Sequence, residues 1–341
     1  MPDLVRITDV SPRDGLQNEP GIIPTPDKVR LIELLCQTGV DEIEVTSFVS
    51  PKWVPQLGDA AEVLAGIRGF MRDDFPSCML SALSPNEKGV SLWKSAEDAA
   101  REARPPRTEL QEFFSHFLIA KIAFFTAASE TFCKKNTNAT ISESLERLRQ
   151  MAKTGLALAP VKVRGYISCA IACPFEGPIH PTKVADIASA LVEAGVHEVD
   201  LGDTIGAGDW DSTTRMLEAV RDRIGDGWFE RGAVTLHLHD TFGRAAECVH
   251  AALDLGVRSF DGSVAGLGGC PYASKKLPDG TIQRAPGNIS TELLVQTIHD
   301  AGYRTNVDLD KLREAAAFAR EIVAKSRAGS VSGGGSGGAP A

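Results

Sequence analysis

Two short strings far apart in the chain carry the residue types that do chemistry. Ser11–Glu19 (SPRDGLQNE) sets a cation, Arg13, beside a carboxylate, Asp14. Leu236–Asp240 (LHLHD) sets His237 and His239 two residues apart. On an extended strand such a spacing puts both imidazoles on one face. A carboxylate and two imidazoles make a mixed oxygen and nitrogen donor set. Completed by an amide or water oxygen, it suits octahedral Mg²⁺ or Mn²⁺ with open positions better than a closed structural Zn²⁺ site. An inert, hydrogen-bonded histidine pair reads the same way in isolation, and Arg13–Asp14 is equally an ordinary surface ion pair. A fixed guanidinium beside a metal, however, is what a developing enolate requires. Cys270 follows Gly268-Gly269, a backbone that lets a thiol approach a substrate, although a lone cysteine also serves as a small buried apolar residue. Asn288, in a loop, is either a turn residue or a further donor.

Residues this scattered need a fold that gathers them. Short apolar stretches recur at Leu4–Asp9, Glu42–Thr46, Cys78–Ala82, Ile119–Phe125, Val161–Ser168, Glu198–Gly202, Val234–His239 and Ser259–Val264, each followed by a helical pattern. Thr25-Pro26-Asp27 opens one such helix, running to Thr38 before Gly39, and Gly195 and Gly256 stop later ones. Eight alternating βα units predict an α/β fold, a closed (β/α)₈ TIM barrel with extra C-terminal helices over residues 1–327. No dinucleotide fingerprint follows the first strand, which weighs against an open doubly wound sheet. In a barrel the chemistry sits at the carboxyl ends of the strands. Arg13, Asp14, Glu44, Asp203, His237, His239 and the Gly266–Gly269 segment all fall there. Residues 91–116 and 274–286 break the rhythm and read as insertions. Residues 328–341, rich in Gly and Ser, read as a flexible tail.

Composition narrows the function class. The 341 residues carry 36 Lys and Arg against 45 Asp and Glu, a net charge of −9, which disfavours sequence-independent nucleic-acid binding. Seven scattered cysteines show no disulfide or zinc spacing and read as free thiols. No apolar run reaches the length of about 18 residues that crosses a membrane. Without a visible targeting segment the expected location is cytoplasmic, or mitochondrial should the N-terminus be incomplete.

Five collinear motifs then speak together. They are Ser11–Glu19, Glu44–Lys52 (EVTSFVSPK), Ala127–Glu130 (AASE), Leu201–Gly206 (LGDTIG) and Gly266–Tyr272 (GLGGCPY). In these the chain resembles the 3-hydroxy-3-methylglutaryl-CoA lyase family, within the barrel superfamily of metal-dependent lyases and Claisen synthases. The resemblance implies cleavage of 3-hydroxy-3-methylglutaryl-CoA, or a close 3-hydroxyacyl-CoA, to acetyl-CoA and acetoacetate, as in leucine degradation and ketone-body metabolism. It implies a Mg²⁺ or Mn²⁺ held by Asp14, His237, His239 and Asn288, with Arg13 on the acyl portion and enolate. It also implies Cys270 as a proton carrier, and Gln17, Glu44, Asp203 and Glu292 as substrate-binding polar positions. A small-molecule acyl-CoA substrate and a homodimer follow from the same likeness. A Claisen-type acyltransferase of the isopropylmalate or homocitrate synthase kind, or a non-catalytic homologue disabled by its insertions, remain the alternatives.

Overall fold

The structure is a computed structural model that describes residues 3–70, 78–103, 117–153, 161–269, 275–276, 282–283 and 285–332. Eight parallel strands close into a barrel: β1 Arg6–Asp9, β2 Glu42–Ser47, β3 Met79–Leu83, β4 Lys121–Ala127, β5 Lys162–Ser168, β6 Glu198–Asp203, β7 Val234–Leu238 and β8 Ser259–Gly262. Each strand pairs with its sequence neighbours, and β8 closes the ring on β1 through Arg6↔Ser259 to Asp9↔Gly262. The helices are α1 Thr25–Cys36, α2 Ala60–Phe70, α3 Glu87–Ala103, α4 Glu130–Thr137, α5 Ile141–Met151, α6 Pro181–Glu193, α7 Trp210–Ile224, α8 Asp226–Glu230, α9 Ala245–Asp254, α10 Thr291–Asp300 and α11 Leu309–Ser332. All eight expected strands are present, shifted by at most two residues at their ends.

Several expectations change in detail. Thr25 lies inside α1 rather than capping it, because its hydroxyl is engaged by Asp59 Oδ2 at 2.7 Å. Residues 91–103, expected as part of an insertion, belong to α3, which follows β3 and buries Trp93, Ala96 and Ala100. Residues 104–116 lie outside the described residues. Of the 274–286 stretch, Lys275–Lys276 and Ile282–Gln283 pair as a two-stranded antiparallel ribbon. Of the expected flexible tail, residues 333–341 lie outside the described residues and residues 328–332 are helical, since α11 continues to Ser332. Its last turns are tied down by Arg327, which grips Glu19 at 2.8 Å through both Nε and Nη2, and by Ser326 Oγ on the Gly21 carbonyl at 2.6 Å. Of the two described C-terminal helices, α10 follows β8 as its barrel helix and α11 is extra to the barrel.

Strand residues alternate between two buried surfaces. Ile43, Val45, Val199, Leu201, Leu236 and Phe260 belong to the main hydrophobic core. The alternate positions are polar: Glu42 and Glu44, Arg164 and Tyr166, Glu198 and Asp200, Thr235 and His237, Ser259 and Asp261. Arg164, 1% exposed, reaches four carboxylates: Glu198 at 2.6 Å, Asp261 at 3.0 Å, and Glu42 and Asp200 at 3.4 Å. Lys121 bridges Glu42 and Glu198 below it. Burial, followed by the Asp261 charge, pushes the Asp200 carboxyl well above the usual carboxylate range, while Arg164 pulls it back. The interior thus holds an ionic plug where many barrels stack aliphatic layers.

Such a plug is expensive to break from one side. Arg164→Leu strands the Glu198 and Asp261 charges, and denaturant unfolding should show a loss of about 3–5 kcal/mol, the cost of leaving a buried charge unpaired.

Candidate metal and acyl-CoA site

The chain leaves β1 and turns at once through a single wide helical turn, Ser11–Gly15, with Pro12 early in it. Asp9, fully buried, fixes the start of this turn. It accepts from the Ser11 amide at 2.9 Å, the Val264 amide at 3.1 Å and the Thr291 hydroxyl at 2.6 Å. The ends of β1, β8 and the start of α10 are thereby joined, and the turn delivers Arg13 and Asp14 to the barrel mouth. Arg13 Nε donates to Glu44 Oε2 at 2.5 Å, and Nη1 donates to Asp14 Oδ1 at 2.6 Å. Its guanidinium also sits 5.6 Å from the Tyr166 ring centroid. Burial disfavours the Arg13 charge, but Glu44 and Asp14 outweigh it and keep the group cationic.

His237 and His239 arrive on β7 and just beyond its end. One ligand atom each from Asp14, His237 and His239 lies within 4.8 Å of the others. Asn288 reaches the same place across the 274–286 excursion, because residues 287–291 are zipped to the ends of β7 and β8. Asp240 N donates to Gly287 O at 2.9 Å, Ile289 N to Leu238 O at 2.9 Å, and Ser263 N to Ile289 O at 3.1 Å. Asn288 therefore bridges His239 along the backbone, while its side-chain amide donates to Asp14 Oδ2 at 2.8 Å and to Leu267 O at 2.9 Å. Two glycines permit this closeness. A Cβ on Gly268, at φ +101°, would lie 2.6 Å from Asn288 Nδ2 and 3.3 Å from Asp14. One on Gly206, at φ +65°, would lie 2.7 Å from the His239 carbonyl oxygen.

The donors fit a divalent cation. His239 Nδ1 is buried without a hydrogen-bond partner among the described residues. Burial, then the nearby His237, pushes the His239 imidazole down to about 4, so it is neutral at pH 7. For Asp14, burial works against the charge, yet Arg13, His237 and His239 more than offset it and its carboxyl sits at about 2. The acid and at least one imidazole stand ready in their ligand forms.

The remaining candidates play varied parts. Glu44, fully buried, orients Arg13; burial, resisted by Arg13, raises its carboxyl, and its Oε1 lacks a partner. Gln17 lies half-buried at the end of the turn carrying Asp14. Asp203 is occupied by its own loop, accepting from Ala207 N at 3.0 Å and Gly208 N at 2.7 Å, with burial holding its carboxyl up at about 6. Glu292 accepts from Ala265 N at 3.0 Å and pairs with Arg320 at 3.1 Å, bracing the Val264–Gly266 turn against α11. These two brace the loops around the donors and are absent from the donor cluster itself. Cys270 lies outside the described residues. Sequence reasoning missed Asp261, Arg164 and Tyr166, which sit directly beneath the histidines. Alternation was the available signal, as charged residues at i and i+2 in EIEVT and EVDLGD mark the polar face of each strand.

The fold agrees with those of related proteins. The family model described as HMGL-like matches residues 4–319. The chain belongs to the HMGL-like family. The bovine mitochondrial hydroxymethylglutaryl-CoA lyase is 44% identical over 93% of this chain and 85% of its own. Among solved structures, the HMG-CoA lyase of Brucella melitensis superposes with a TM-score of 0.78 at 40% identity, covering 94% of this chain and 99% of that one. An HMG-CoA lyase from Acinetobacter baumannii, solved with coenzyme A and 3-methylmalate, gives a TM-score of 0.77 at 30% identity over 94% of this chain and 92% of its own. The HMGL-like match runs across every barrel strand. No described helix is long and apolar enough to cross a membrane.

Because metals bind deprotonated ligands, their uptake displaces whatever protons the ligands carry. With Asp14 at about 2 and His239 at about 4, neither has a proton to release near neutrality. Titration of the metal-free protein with Mn²⁺ at pH 7, by calorimetry in buffers of different ionisation enthalpy, should return at most one proton per ion. Affinity should fall as the pH is lowered through about 4, where His239 becomes cationic; release of two protons at pH 7 would contradict these assignments.

Proposed function

We propose that this protein is a carbon–carbon lyase that cleaves 3-hydroxy-3-methylglutaryl-CoA, or a close 3-hydroxyacyl-CoA, to acetyl-CoA and acetoacetate. The observation that carries the reading is the meeting of Asp14, His237 and His239 with Arg13 at one end of the barrel. Family membership and the printed activity of the bovine and bacterial relatives support it. Asp14, His237, His239 and Asn288 would hold Mg²⁺ or Mn²⁺. Bound there, a divalent cation lowers the pKa of a coordinated hydroxyl and offsets carboxylate charge.

The chain's own groups account for the rest of the chemistry. Cleaving the bond between the carbinol carbon and the methylene leaves the electron pair as an acetyl-CoA enolate. Arg13 is a permanent cation clamped on two sides, so it needs no reorganisation to meet a developing oxyanion. Glu44 and Asp14 fix its direction, which makes it selective for one position of the negative charge. Glu44, with an unpartnered oxygen and a raised pKa, is a candidate to take the hydroxyl proton. The resemblance assigns Cys270 to return a proton to the enolate carbon, and Gln17, Asp203 and Glu292 to the polar surround of the substrate. Homodimer formation rests on the resemblance alone.

The direct test is product analysis of purified protein with Mg²⁺ and 3-hydroxy-3-methylglutaryl-CoA. Stoichiometric acetoacetate and acetyl-CoA are expected, with turnover abolished by chelation and restored by Mg²⁺ or Mn²⁺. Full activity in a rigorously metal-free sample would sink the reading. Arg13→Met should depress kcat by about 10²-fold or more, the scale of one oxyanion donor, with a much smaller change in Mn²⁺ affinity. An unchanged kcat with a raised KM would instead assign Arg13 to ground-state binding.

A further inference from the structure

His237 and His239 differ in what stands behind them. His239 Nδ1 has no hydrogen-bond partner among the described residues. His237 Nδ1 lies 3.2 Å from Asp261 Oδ2, on the neighbouring strand at the paired position Asp261↔His237. Asp261 is itself immobilised. Arg164 Nη1 donates to its Oδ1 at 3.0 Å, the Tyr166 hydroxyl donates to its Oδ2 at 3.2 Å, and the residue is 1% exposed. The Tyr166 ring also meets the His237 ring edge-on, at 6.0 Å between centroids and 85° between planes. One partner thus fixes the imidazole at its Nδ1 edge, and another packs against it from the side.

We infer that Asp261 is a positioning residue for the metal site: it accepts the Nδ1–H of His237 and so leaves Nε2 as the nitrogen turned to the cation. This rests on the metal-site reading above and adds a residue to it. A carboxylate behind a ligating imidazole selects the tautomer and strengthens the donor nitrogen. Asp200, His237 and Asp261 also lie close enough together to suggest a second cation site. Arg164, at 3.0 Å from Asp261 and 3.4 Å from Asp200, already supplies the positive charge there. The pair Asp261–His237 therefore serves the Asp14 site, and the two histidines are unequal: His237 has its tautomer fixed from below, whereas His239 lacks such a partner.

The test begins with metal-free wild-type protein. ¹⁵N spectra of the histidine rings, with His237 assigned by comparison with His237→Gln, should show His237 with its proton on Nδ1. A proton on Nε2 overturns the proposal without any need for an Asp261 variant. Asp261→Asn should then mix the His237 tautomers and raise the Mn²⁺ Kd by about 10–100-fold, the usual cost of losing such a partner. Lys121→Met provides the structural control, since Lys121 bonds Glu42 and Glu198 and makes no contact with His237. It should lower stability and leave the Mn²⁺ Kd unchanged. A folded Asp261→Asn with wild-type affinity, or a Lys121→Met with an equal loss of affinity, would overturn the assignment. Loss of turnover with intact Mn²⁺ affinity in Arg13→Met would count against neither, so failure of Asp261 and failure of the lyase reading remain distinguishable.

Discussion

A guanidinium buried on the inside of the barrel is the constraint on which the rest turns. Arg164 cannot shed its proton, and at 1% exposure it has no water to solvate it. Its charge must be met by side chains, and they come from β2, β6 and β8, all around the ring. Desolvating these ions costs several kcal/mol apiece, so the plug is a weak source of net stability. What it gives is registry. Each carboxylate sits at a set height on its strand, and a slip of one residue on any strand would exchange a charge for an aliphatic side chain.

That registry is transmitted upward by the period of two. Thr235, His237 and His239 are successive inward steps on β7 and its extension, as are Glu42 and Glu44 on β2, before its register shifts ahead of Thr46. At the lower step Thr235 donates to Glu198 and Glu42 meets Lys121. One step higher, His237 meets Asp261 and Glu44 meets Arg13. The site is therefore the exposed end of a polar column whose foot lies deep in the barrel. Its geometry is set by strands, with the turn after β1 and the segment after β8 contributing the last donors.

Much of this was legible in the chain. Hydrophobic punctuation located every barrel strand, since eight βα units repeat one physical demand. The HxH pair and the Arg-Asp dipeptide named the donors because their spacing is itself chemical. Less visible were contacts that depend on closure. Nothing adjacent to Arg164 in sequence announces Asp261, which lies on the far side of the ring in chain order. That Asp203 and Glu292 accept from the backbone amides of Gly208 and Ala265 is likewise a fact of loop geometry. Residues 91–103 looked unpatterned because α3 is rich in charge, although its buried stripe of Val90, Trp93, Ala96 and Ala100 keeps the helical period. Gly329 did not stop α11, because the turns before it are anchored on Glu19 and Gly21.

The anchoring of residues 287–291 has a consequence for how this chain can vary. Before the excursion, Asn18 Nδ2 holds the Gly269 carbonyl at 3.2 Å; after it, backbone bonds fasten Gly287 and Ile289 to β7. Closure entropy grows slowly with length, each doubling of a loop adding only about 0.6 kcal/mol, so the sequence distance between two such moorings is weakly constrained. The place of Asn288 beside Asp14 is set by the bonds of Gly287 and Ile289 to the end of β7. Asp14 and Asn288 are in this way anchored independently of the residues between the moorings, so descent can change how many residues stand there without refitting these two donors.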